Sequence, residues 1–250
     1  NVATISANND VEVGNLISEA IGKVGREGVV TVEESQTGDT RLEMVEGMQF
    51  ESKYLSPYFI TNNTDMRVEL ENPWILLYDK KITSIKDIVK VLEAAIQQNK
   101  PLLIVAEDVD GEALAGLIVN KIRGTLKVAA VKAPGFGEKR NQYLEDIAAL
   151  TGGQVVSYHR GMRLDKITPE VFGTAANVTI DNKKTTIVDG AGSAEAIEER
   201  INVIKHDIDN STSNYDKEQN QERLAKLAGG VAILRIGAQS ELEMKEKKDR

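Results

Sequence analysis

"KPLLIVAEDVDGEALAGLIVNKIRGTLKVAAVKAPGFGEKR", residues 100–140, decides the fold. Two short apolar runs, "LLIVA" and "KVAAV", are separated by an apolar helical stretch from about Gly111 to Ile122. The same rhythm extends in both directions. Upstream stand the strand-like "WILLYD" from residue 74 and a helix from Ile85 to about Gln98; downstream come a helix from about Lys139 to Leu150 and the strand-like "QVVSY". Strands alternating with helices over short connections imply parallel strands covered by helices, so the fold class is α/β with a central sheet flanked by helices.

The flanks have a different texture. Asn9 and Glu12 resemble a capping box, and Val13, Leu16, Ile17, Ala20, Ile21 and Val24 follow at helical spacing until Gly25 and Gly28. Two extended segments, "VVTVEE" and "TRLEMVEG", come next. Beyond the alternating region, "TPEVF" offers Thr168 as a cap with Pro169 at the first helical position, and "NVTID" and "KTTIVDG" read as a strand pair. A helix with Ile197, Ile201, Ile204 and Ile208 on one stripe is interrupted by "STSNYD". A second helix then runs to Gly229 and Gly230, ahead of the strand-like "VAILRIGA". Gly47 and the Gly229-Gly230 pair bracket the middle of the chain, as hinges between a central domain and a smaller one built from both ends would; a strand bulge and a helix C-cap are the alternatives.

Composition narrows the function. The 250 residues include 39 acidic and 31 basic side chains, a net charge of -8, which disfavours a nucleic-acid phosphate backbone as partner. The absence of cysteine excludes disulfides, thiolate metal sites and a Cys nucleophile. No stretch approaches the roughly 18 apolar residues of a membrane span. Asn1 in place of Met and the charged closing run "ELEMKEKKDR" suggest a piece of a longer protein.

Two segments invite chemistry. "KAPGFGEKR", residues 132–140, sits where a phosphate loop would, but lacks the third glycine of a dinucleotide fingerprint and the Gly-Lys-Ser/Thr of a P-loop; a tight strand-to-helix turn is the better reading. Glu107, Asp108 and Asp110 follow a buried strand, where they would hold Mg2+ for phosphoryl chemistry or cap the next helix. On that alternative the chain is a stand-alone metal-dependent phosphohydrolase using Asp108 and Asp110. His159 and His206 are isolated, and no nucleophile elbow occurs.

Apolar surface is the stronger signal. The helix from Ile85 carries an apolar arc of about 160°, broader than a core-facing stripe, and the helix from Gly111 is apolar nearly all round, so it is either wholly buried or offers apolar surface to a partner. "EGMQFESKYLSPYF", residues 46–59, adds Phe50, Tyr54, Tyr58 and Phe59 in an irregular segment of a chain with only 4% aromatics.

The segments "EGMQF", "YLSPYF", "DKKI", "KPLLIVAEDVDGEAL", "RGTLKVAAVKAPGFGEKR", "DIAALTGG", "ERLAKLAGGVA" and "EMKEKK" together resemble group I chaperonins, the Hsp60/GroEL family, in order over the whole chain. The resemblance implies an apical domain over residues 46–231, which binds substrate and co-chaperonin, and two parts of an α+β intermediate domain, 1–45 and 232–250. It implies a parent that hydrolyses ATP with Mg2+ and folds proteins by encapsulation. The phosphate loop and catalytic aspartate would lie outside these 250 residues, so no catalytic residue, cofactor or metal is expected within them. Non-native polypeptides and the mobile loop of a Hsp10/GroES-type co-chaperonin would bind Tyr54, Ser56, Tyr58, Phe59, Val89, Leu92, Glu93, Leu114, Ile118, Val119 and Asn120. Gly47 and Gly230 match hinge glycines. The parent would form seven-membered rings, usually two stacked, and the chain alone would be a monomer. The resemblance implies bacterial cytoplasm, mitochondrial matrix or plastid stroma as the compartment. One departure stands out: where relatives have Asp-Arg-Gly, this chain has Glu51, Ser52 and Lys53, and the family's arginine pairs between subunits with a glutamate matching Glu241.

Overall fold

The computed structural model describes residues 7–24 and 29–237. In chain order its elements are α1 (Ala7–Val24), β1 (Val29–Glu34), β2 (Arg41–Val45), β3 (Gly47–Phe50), β4 (Val68–Glu71), β5 (Trp74–Tyr78), β6 (Lys81–Ile82) and α2 (Val89–Gln97). Next come β7 (Leu102–Ala106), β8 (Asp108–Val109), α3 (Gly111–Ile122), β9 (Val128–Lys132), α4 (Gly137–Thr151) and β10 (Val155–Val156). The last are β11 (Gly173–Ile180), β12 (Thr185–Gly190), α5 (Ala194–Asp209), α6 (Asn214–Gly229) and β13 (Val231–Ile236).

The α/β class is as the sequence implies. Strands β10, β5, β7 and β9 are parallel neighbours, and every residue of β7 is buried. A fully buried aliphatic side chain contributes about 1.5–3 kcal/mol, so this central strand anchors the sheet. Right-handed crossovers from β5 to β7 to β9 place α2 and α3 on one face, and the return to β10 carries α4 to the other. There α4 packs against α5 and α6. The antiparallel set β3, β12, β11 and β4 joins this half through Gly173 and Thr174, opposite Ile75 and Trp74. A separate three-stranded sheet, β1-β13-β2, carries α1.

Several local expectations need adjustment. Helix α1 begins at Ala7, ahead of the proposed cap Asn9; Gly25 and Gly28 lie outside the described residues. The helix expected from Ile85 is broken: Ile85–Asp87 is a 3-10 turn, and α2 starts after Ile88, whose φ of -117 and ψ of 0 turn the chain. Thr168 makes no side-chain capping bond, and Pro169–Val171 is a single 3-10 turn. Strand "QVVSY" is cut to two residues because buried Asp79 captures Ser157 and Tyr158, accepting from Ser157 Oγ at 2.7 Å and from Tyr158 N at 2.9 Å.

Candidate functional site

Segment 51–60 leaves β3 at one end of the large sheet and reaches β9 at the other. Leu55 N donates to Ala130 O and Tyr54 N to Asp181 O, while Ser52 bridges β9 and β12: its Oγ donates to Lys132 O at 2.6 Å and its carbonyl accepts from Thr185 Oγ1 at 2.7 Å. Ser52 therefore works inside the fold, where its small hydroxyl fits, and the neighbouring Lys53 is exposed. Glu241 lies outside the described residues.

Ser56 then caps a 3-10 turn, Pro57–Phe59, by accepting from Tyr58 N at 3.1 Å, and Pro57 supplies the fixed φ of a first-turn position. In a turn with three residues per revolution, successive side chains point about 120° apart. Phe59 is completely buried, so Tyr58 is turned outward and is 62% exposed. Lys121 Nζ, on α3, donates to Ile60 O at 3.3 Å and holds the segment against that helix.

Helix α3 answers the question its sequence poses: it is only partly buried. Ala113 and Leu117 face β9, whereas Val119 and Ile122 are 43% and 63% exposed. At 3.6 residues per turn Ile122 lies about 180° round the axis from Ala113, so core-facing and solvent-facing sides are both apolar. Leu114 and Ile118 are half-buried between them, and Asn120 Nδ2 donates back to Gly116 O. A Cβ on Gly116 would collide with Ile85 Cδ1, so the glycine lets Ile85 lie against α3. The turn of Ile85 is held by the Glu112 carboxylate, which accepts from Ile85 N at 3.1 Å.

On α2 the residues separate. Leu92, with Val91 and Ala95, is buried, Val89 is half-buried, and Glu93 and Ile96 are exposed. Of the eleven residues expected to bind polypeptide, Ser56, Phe59 and Leu92 are thus buried and Tyr54, Val89, Leu114, Ile118 and Asn120 half-buried, leaving Tyr58, Glu93 and Val119 fully at the surface. Ile96 on α2 and Ile122 on α3 are also exposed and are absent from that set; the over-wide apolar arcs of the two helices contain them, which is the signal that points to them.

The two crossings between the sheets lie side by side. A Cβ on Gly47 would stand 2.5 Å from Val231 Cγ2 and 2.6 Å from Ile187 O, and one on Gly230 2.8 Å from Val45 O. Gly230 ends α6 with φ 65 and ψ -162, a backbone conformation confined almost entirely to glycine.

The acidic alternative finds no support. Asp110 pairs with Lys81 at 2.9 Å and accepts from Thr83 Oγ1 at 2.9 Å; these bonds, that to Lys81 foremost, hold its carboxyl below the usual range. Asp108 accepts from the next backbone N–H, and Asp110 makes no capping bond. Among the described residues no cluster of three or more acidic or histidine side chains is arranged for a metal. In "KAPGFGEKR", Gly135 and Gly137 take positive φ for the turn, and Lys139 is engaged by Asp216 and Asn220 at 3.0 and 2.6 Å. No described helix is long and apolar enough to cross a membrane.

What remains is apolar area flanked by few directional partners, an arrangement suited to holding apolar segments. The TCP-1/cpn60 family model matches residues 1–250, and the chain belongs to the TCP-1/cpn60 chaperonin family, with a chaperone role.

Proposed function

We propose that the chain is the apical domain, residues 46–231, and parts of the intermediate domain, 1–45 and 232–250, of a group I chaperonin. Its partners are non-native polypeptides, held on the face formed by Tyr58, Val119 and the half-buried side chains between them. The observation that supports this reading is the exposure of apolar Val119 and Ile122 on α3, the helix packed against the turn that carries exposed Tyr58. Such a face gains about 25 cal/mol per Å2 of apolar area covered, without demanding a sequence, so many clients bind weakly and a ring of copies adds avidity.

In this reading Ser56, Phe59 and Leu92 hold the shape of the face from beneath, and Tyr54, Val89, Leu114, Ile118 and Asn120 form its walls. A Hsp10/GroES-type co-chaperonin loop competes for it. Gly47 and Gly230 serve as hinges. ATP and Mg2+ act in parts of the parent outside these residues, in stacked seven-membered rings in the bacterial cytoplasm, mitochondrial matrix or plastid stroma. With Ser52 turned inward, Lys53 is the cation left to face Glu241 of a neighbour, and its flexible ammonium is a poorer match than a guanidinium.

The test is binding of a labelled, chemically denatured polypeptide, read by fluorescence anisotropy. Tyr58→Glu and Val119→Glu each weaken binding tenfold or more with an unchanged melting temperature. Unaltered binding in both variants contradicts the assignment. A metal-dependent phosphatase activity lost in Asp108→Asn would favour the alternative.

A further inference from the structure

A second surface differs from the apolar face in every respect. Beside β3 an open cleft of about 600 Å3 has buried Phe50 in its wall and is lined by Lys53, Lys183, Lys184 and Lys226 against a single carboxylate, that of Glu51. Four lysines thus line one cleft in a chain whose net charge is -8. A concave, cation-lined site with a low-dielectric wall focuses positive potential and concentrates anions, and the volume suits a small molecule.

The lysines are presented by rigid elements. Lys183 and Lys184 sit on the β11–β12 turn, where Asp181 Oδ1 accepts from both of their backbone N–H groups at 2.8 Å. Lys226 projects from α6 and donates to Gln49 O at 3.3 Å; its one carboxylate neighbour is Glu222, 3.6 Å away and outside the cleft lining. Among the described residues no carboxylate pairs with Lys53, Lys183 or Lys184. Unpaired lysines also occur elsewhere on the described surface, Lys205 and Lys217 among them; what sets this place apart is that four lysines line one cleft.

We propose that this cleft binds a compact condensed phosphate, either inorganic or the phosphate tail of a nucleotide. Ammonium groups act as point charges toward phosphate oxygens and need no planar bidentate fit. An extended acidic polypeptide is the less favoured occupant, because the charge lies in one cleft rather than along a track.

The experiment is calorimetric titration of the whole chain with sodium tripolyphosphate at low salt, without divalent cations. One saturable site is expected, weakening as KCl is raised because the charges are solvent-accessible. Lys183→Gln/Lys184→Gln weakens it at least tenfold, and Lys53→Gln weakens it to a lesser degree. Lys205→Gln/Lys217→Gln removes the same charge from exposed positions of α5 and α6 and leaves it unchanged. Displacement of tripolyphosphate by ATP identifies the nucleotide tail as a source, and failure of ATP to displace it identifies the inorganic form. Absence of a saturable site, or equal weakening in the two double variants, overturns the proposal. So does an oligo-aspartate peptide that binds the cleft and is not displaced by tripolyphosphate.

Discussion

At the scale of single residues, burial separates contact from support on the candidate face. Phe59 and Tyr58 are adjacent and chemically alike, yet one is wholly enclosed and the other largely exposed. Leu92, 5% exposed, belongs with Phe59. Leu92→Ala and Phe59→Ala should each lower stability by about 2–5 kcal/mol in urea denaturation, through lost transfer energy and the cavity left behind. Tyr58→Ala should stay within about 0.5 kcal/mol of the parent, as exposed positions do. The sequence does not reveal this division: aromatics concentrated in an irregular segment read equally as misplaced core or as binding surface. Only the register of one 3-10 turn, set by Ser56 and Pro57, decides which ring points inward.

At the scale of elements, helix packing on the two faces is achieved differently. Opposite the candidate face, α4, α5 and α6 are clamped by charge. Fully buried Arg223 donates twice to Asp146 at 2.8 Å and once to Asp207 at 3.1 Å, and Arg200 Nε reaches Asp146 at 2.7 Å. Removing one member leaves a buried charge incompletely paired, so Arg223→Met should destabilise by about 3–5 kcal/mol in urea, toward the lower end because Arg200 remains. Asp146→Leu/Arg223→Met should recover much of that loss. The strand–helix alternation from Trp74 to Val156 is legible in sequence because its central strands are continuous apolar runs. The break before α2 is not, because Ile85, Ile88, Val89 and Leu92 fall on one helical stripe whether or not the helix is continuous. Contact of Ile85 with α3 at Gly116 imposes the break, and that contact is tertiary. In the small sheet, Glu43 accepts from Arg41 at 2.8 Å and Arg235 at 3.0 Å, and the Arg41 hydrogen bond leads in holding its carboxyl below the ordinary 4.5. A lowered carboxylate stabilises the fold above its unfolded value, and that contribution is lost as pH falls through the folded value. Amide protection in β2 and β13 should therefore decline as pH drops below about 4.5, and Glu43→Gln should flatten that dependence at a lower starting protection.

At the scale of the whole molecule, two sheets are joined by two strand crossings that touch at Gly47 and Gly230, with the apolar face and the lysine cleft on different parts of the larger one. Family membership gives the chaperone role; the place where an unfolded chain is held is the proposed face of α2, α3 and residues 54–60. Hydrogen–deuterium exchange of the chain, free and saturated with a denatured polypeptide, tests it most directly. Added protection should fall on residues 54–60, 89–97 and 111–122, with the α4–α6 face and β1, β2 and β13 unchanged. Protection confined to the lysine cleft or to the α4–α6 face, with none on α3, would contradict it.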